Sequence, residues 1–209
     1  MAWVRSIAIF AALNIKRNTP SKALIILSAI MTIFAGIIHL MLVSAHMEHA
    51  PAHGLFFLFV GIAQIIWGVK VWRLPSLKRY YIGAITAGWL IILYAVTRLL
   101  PAPFSHAPEA IETIDMVCKF CEALGMLSLL ILIFQELLLH AGRLNAWRAI
   151  SLILVVSILA GFVTYGIARA TEPILPWLAA PAEGHHHDES IPLPGEEHEH
   201  NESFLGSFV

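Results

Sequence analysis

Charge is the scarcest property of this sequence. Only 13% of its 209 residues are Asp, Glu, Lys or Arg, about half of the roughly 25% found in soluble chains. With 58% hydrophobic residues and a mean hydropathy of +0.77, an ordinary soluble domain is excluded. Cysteine is nearly absent too. Its two copies, Cys118 and Cys121, lie three residues apart in one apolar stretch, so no disulfide framework is implied and the pair reads as two small buried thiols. Nucleotide-binding loops, nucleophile elbows and zinc-protease helices are missing, which argues against an enzyme; no nucleic-acid partner is expected either. No internal repeat is found. A cleavable signal peptide is not expected: the apolar run 2–15 is interrupted by Arg5 and followed by Lys16 and Arg17, without a small-residue cleavage pattern.

The charges that are present are sorted. Ten cationic side chains fall at three places: Arg5, Lys16, Arg17 and Lys22; Lys70, Arg73, Lys78 and Arg79; Arg143 and Arg148. Apart from Glu136 and His140, the acidic residues and histidines fall in the other segments, and long apolar stretches separate the two kinds. The positive-inside rule reads this alternation as a multi-pass cell-membrane protein with a cytoplasmic N-terminus and an extracytoplasmic C-terminus.

A spanning helix needs about 20 mostly apolar residues, and five stretches meet that length, at about 22–45, 52–72, 80–100, 111–140 and 147–170. The expected fold class is therefore all-α, a polytopic helix bundle in the lipid bilayer. Residues 1–21 are expected to form a short interfacial helix, with Trp3, Ile7, Phe10 and Ala11 on one side, and a linker. Residues 22–170 form the five-helix domain. Residues 171–209 read as a flexible extracytoplasmic tail: five prolines, His185 to His187 beside Asp188 and Glu189, and His198 and His200 among glutamates cannot bury enough apolar surface to fold alone. Those five tail histidines are candidates for loose metal capture.

Periodicity selects the polar residues that face the bundle. Ser28, Thr32, Ala35, Gly36, His39 and His46 form one stripe on the first span. Gly54, Gly61 and Gly68 repeat every seven residues on the second, with Gln64 on the same stripe, and Asp115, Cys118, Glu122 and Gly125 share a face of the fourth. Small residues at helical spacing mark close helix approach. Ionisable groups at such depth suggest function.

Imidazole nitrogens and carboxylate oxygens are ligands for zinc, iron, manganese or copper(II), whereas sulfur favours copper(I). His39, His46, Asp115 and Glu122 are therefore the candidate ligands for a copper or zinc ion in the outer half, with His49, Met47 and Cys118 as weaker ones. The alternative is an ion-pair network in which Arg98, with Glu109 near it, neutralises Asp115 or Glu122 while His39 bonds the other carboxylate. A proton or small-solute pathway ranks last, since the inner half offers only Gln64 near the midplane. His49, His53 and His106 taken alone read as solvated loop residues. Haem is not expected, because His39 and His46 share a helix.

The order of elements carries a resemblance. Gly36-Ile37-Ile38-His39-Leu40 with His46, Gly54-Leu55-Phe56-Phe57 with Gln64, Thr97-Arg98 with Pro101 and Pro103, and Pro108-Glu109 with Asp115 and Glu122 together resemble a group of small multi-pass membrane proteins of bacteria and archaea. It covers about residues 25–140, implies a shared four-helix unit and draws attention to His39, Arg98, Glu109, Asp115 and Glu122. It implies no activity. The expected function is transition-metal binding or handling; the alternative is a non-catalytic accessory or assembly subunit of a larger membrane complex, and a proton-coupled small-solute transporter comes third.

Overall fold

The computed structural model describes residues 21–105 and 107–179. The expected interfacial helix (1–20), His106 and the tail histidines His185, His186, His187, His198 and His200 lie outside the described residues. The described chain is all-helical: α1 Lys22–Met41, α2 Val43–His49, α3 Pro51–Arg73, α4 Leu77–Leu99, α5 Thr113–His140 and α6 Arg143–Thr171, followed by a 3-10 turn at Pro176–Leu178. All but α2 are long and apolar enough to cross a membrane.

The expected first span is shorter than read. It breaks at Leu42, which caps α1 and separates it from α2. The last span begins earlier, at Arg143, because Gly142 adopts a positive φ of 82° and turns the chain straight from α5 into α6.

Helix order in space differs from order in the chain. α1 packs between α3 and α5, and α4 packs between α5 and α6. α1 and α3 meet backbone to backbone: a Cβ added at Gly36 would stand 2.8 Å from the carbonyl oxygen of Gly61, and one at Gly61 would stand 2.8 Å from that of Gly36. Only glycine lets two backbones meet this way. One end of the bundle is sealed by an apolar core of Ile25, Val71, Tyr80, Ala84, Leu129, Leu132, Ile133 and Ile153. That end carries the start of α1, the α3–α4 hinge and the α5–α6 turn. Towards the other end α3 and α4, consecutive in the chain, scarcely touch. The cleft between them, backed by α1 and α5, is where the polar residues gather.

Candidate functional site

His39 comes from α1, Gln64 from α3, and Cys118, Lys119 and Glu122 from one face of α5. His39, Gln64, Cys118 and Glu122 are all buried. The Gln64 amide nitrogen donates to Glu122 Oε1 at 2.9 Å, so its carbonyl oxygen is the acceptor for His39 Nδ1–H at 2.8 Å. That bond fixes the tautomer: the proton sits on Nδ1 and the other ring nitrogen, Nε2, is bare. His39 Nε2 lies 3.8 Å from Cys118 Sγ and 3.8 Å from Glu122 Oε1. One nitrogen, one sulfur and one oxygen thus lie within 4.8 Å of one another, and this is the only such group of three among the described residues.

Glu122 has a second partner that sequence reasoning missed. Lys119 Nζ donates to Glu122 Oε2 at 2.6 Å. The signal was present: a lone cation inside an apolar run, three residues before a carboxylate, is in position to pair with it.

The four residues expected to form one ligand set are divided. His39 and Glu122 meet, but His46 and Asp115 do not join them. Phe57 separates the two imidazoles, stacking on His46 at 4.0 Å and presenting an edge to His39 at 5.1 Å between centroids. His46 Nδ1 bonds the Leu42 carbonyl instead. Asp115 is claimed by Arg98, whose Nη2 donates to it at 2.6 Å. Met47 lies over Gly54, where an added Cβ would come within 2.6 Å of its sulfur. The His49 side chain lies outside the described part of the chain, and Cys118, expected as a weaker ligand, is one of the three.

Arg98 organises a second cluster at the end of the bundle away from the apolar core. Besides Asp115 it binds Glu109, and its guanidinium lies 4.4 Å from the centre of the Tyr94 ring. His53, expected to be a solvated loop residue, is 16% exposed and has both nitrogens bonded: Nδ1 to Glu109 Oε1 at 2.8 Å and Nε2 to the Pro103 carbonyl at 2.6 Å. Both partners are acceptors, so both ring nitrogens donate and the ring is an imidazolium. Across the two clusters Arg98, Lys119 and His53 balance Glu109, Asp115 and Glu122. This satisfies the requirement that buried charges be paired.

The same contacts pin the loop between α4 and α5. Glu109 N–H donates to the Thr97 carbonyl, while buried Phe104 holds a left-handed φ of 62°. A non-glycine residue keeps that conformation only where its surroundings impose it. Beneath the loop lies a cavity of about 270 Å³, lined by His39, Phe57, Tyr94, Arg98, Cys118 and Lys119 among others. A smaller cavity of about 150 Å³ continues down the cleft past Gln64, Trp67 and Glu122. The three-atom group therefore stands in the wall between two cavities.

Glu109, in the loop, titrates far from its ordinary value. Burial alone would raise its pKa, but the hydrogen bond and charge of His53, and then those of Arg98, outweigh burial and hold it at about 2. The folded protein thus binds this proton more weakly than the unfolded chain, so acid favours unfolding. The contribution is complete above the unfolded value of 4.5 and vanishes as pH falls through about 2. Its size is about 3 kcal/mol at neutral pH. Thermal unfolding of detergent-purified protein should show the wild type losing its advantage over Glu109→Gln between pH 5 and pH 2. A constant gap would contradict this assignment.

No protein-family model matches the chain, and neither a curated protein nor a solved structure matches it at a significant level.

Proposed function

We propose that this chain is an integral protein of the cell membrane that holds a transition-metal ion, copper(I) before zinc, at His39, Cys118 and Glu122. The membrane part rests on five long apolar helices and on their outward-facing side chains. Phe34, Ile37 and Met41 on α1 and Leu152, Val155, Leu159 and Phe162 on α6 are all exposed, an apolar surface that a hydrocarbon surrounding would cover. Positive-inside sorting puts the cationic α3–α4 and α5–α6 turns in the cytoplasm and the His39 cluster in the outer half. The C-terminal tail then lies outside, where its histidines can concentrate metal ahead of the outer cavity.

The metal part rests on one observation: three buried ligand atoms of different kinds within 4.8 Å of one another, with the histidine already oriented. Metal-binding histidines commonly donate their other N–H to a carbonyl or carboxylate, and Gln64 occupies that role. Ligand-to-ligand separations of 3.8 Å suit bonds of about 2.0–2.3 Å to a shared ion. Charge selects which ion. A Cys118 thiolate and the Glu122 carboxylate supply two negative charges and Lys119 cancels one, so a monovalent ion makes the buried site neutral while a divalent ion leaves it positive. Soft sulfur favours copper(I) as well. Binding displaces the thiol proton, so loading releases acid.

The test is the metal content of the purified protein after loading with copper(I) under reductant and removal of excess. The wild type should retain one equivalent more than either His39→Ala or Cys118→Ser, the tail contribution being common to all three. Equal copper in all three, with each variant folded by circular dichroism, would leave a metal-free ion-pair network in place of a metal site.

A further inference from the structure

The larger cavity is a candidate site in its own right, apart from any metal ion in its wall. Its walls are mostly apolar and aromatic, with Leu42, Phe56, Leu93 and Phe104 among them, and polar groups converge on it from all five long helices and from Glu109 in the loop. At about 270 Å³ it is close to the lower bound of small-molecule sites, about 300–1,000 Å³. Two buried donors along the cleft lack acceptors. Arg98 spends both terminal nitrogens on Glu109 and Asp115, but its Nε–H, on a side chain only 8% exposed, is buried without a partner. Further down, the Trp67 indole N–H borders the second cavity and is also buried and unpartnered. A buried donor left unmatched is costly, and a ligand acceptor is one way to match it.

The charges around the cavity define what that acceptor belongs to. Arg98 and Lys119 repel a cation, Glu109 and Asp115 repel an anion, and every one of the four is already paired. An ionic ligand filling the chamber finds no uncompensated charge among these four groups, whereas a metal ion in the wall gains its partner by displacing the Cys118 proton. From the apolar cleft, its orphaned donors and its balanced charge we infer that this cavity binds a neutral lipid-soluble amphiphile whose carbonyl oxygen accepts the Arg98 Nε–H, its apolar body lying along the α3–α4 cleft. The outer chamber takes the head group beneath the Phe104 loop. The gap between helices that scarcely touch takes the remainder, past the Phe56–Trp89 ring pair that spans it. An isoprenoid quinone and a neutral diacylglycerol both carry this chemistry. The inference does not depend on the metal ion.

The test uses full-length protein in detergent, stripped of metal with a chelator, and two probes run separately: decylubiquinone and dioctanoylglycerol. A ligand that binds the folded state raises the unfolding temperature with concentration. One probe is expected to raise the wild-type Tm by several degrees in a saturable manner, and which one does so identifies the source. Ala168→Phe, which fills the cavity from the α6 side, should abolish the rise. Arg98→Lys keeps the positive charge but lacks the guanidinium Nε donor, and should weaken binding about tenfold. No saturable rise with either probe, or an equal rise in the wild type and both variants, would overturn the proposal, the latter because it reports partition into the micelle rather than a site.

Discussion

Replacing Arg98 with methionine should destabilise the protein by about 3–5 kcal/mol, the usual cost of stranding a buried charge whose partner is removed. Two carboxylates are stranded together here, since Arg98 binds both Glu109 and Asp115 and these side chains are only 24% and 9% exposed. The loss should appear as a fall in Tm of roughly 10 °C in detergent. Much of it should return in the triple variant Arg98→Met, Glu109→Gln, Asp115→Asn, because neutral amides need no counter-charge. Rescue separates a charge effect from loss of the Arg98 stem as packing against Tyr94. A single variant as stable as wild type would mean that the cluster contributes nothing to folding.

The second large effect concerns Lys119. Its ammonium lies 2.6 Å from Glu122 Oε2, and a cation bound at Oε1 would sit close by. At a separation of roughly 5 Å and an effective dielectric constant of about 20, the repulsion between unit charges is about 3 kcal/mol. A divalent ion feels twice that repulsion. Lys119→Met should therefore favour zinc over copper(I) by on the order of 100-fold relative to wild type. Competitive loading with both ions, read by elemental analysis, checks this. An unchanged zinc-to-copper ratio would remove Lys119 from any role in ion choice and with it the charge argument for copper(I). Without an ion the same variant leaves Glu122 buried beside only the Gln64 amide, so the apo protein should also unfold more readily.

Much of the architecture was legible in the chain because it depends on local properties. Helix length and hydropathy are read from consecutive residues, and all five long apolar helices were placed to within about four residues at each end. The heptad of Gly54, Gly61 and Gly68 marked the close face of α3, with Gln64 among the buried residues of that helix. Cys118 and Glu122 were legible as one face of α5 for the same reason, and both are buried.

The errors at the site share a cause. His53 looked like a loop residue because its partners, Pro103 and Glu109, come from the far side of the α3–α4 hairpin. His46 looked like a ligand because it follows His39 at helical spacing, yet the chain breaks at Leu42 and Phe57 of another helix fills the space between the rings. Asp115 shares a face with Glu122 but binds Arg98, a residue of α4. Lys119 went unweighed because an expectation centred on acids and imidazoles left no place for a cation within the site.

Five apolar helices, their alternating charge and the small-residue stripes follow from the linear order of residues, since each is set by neighbours within a few turns. Which carboxylate meets which cation was decided only when the helices assembled, with α1 between α3 and α5 and a cleft left between α3 and α4. Charge pairing is short-ranged and needs no regular spacing along the chain, so the tertiary arrangement alone could bring His39, Gln64, Cys118, Lys119 and Glu122 to one place.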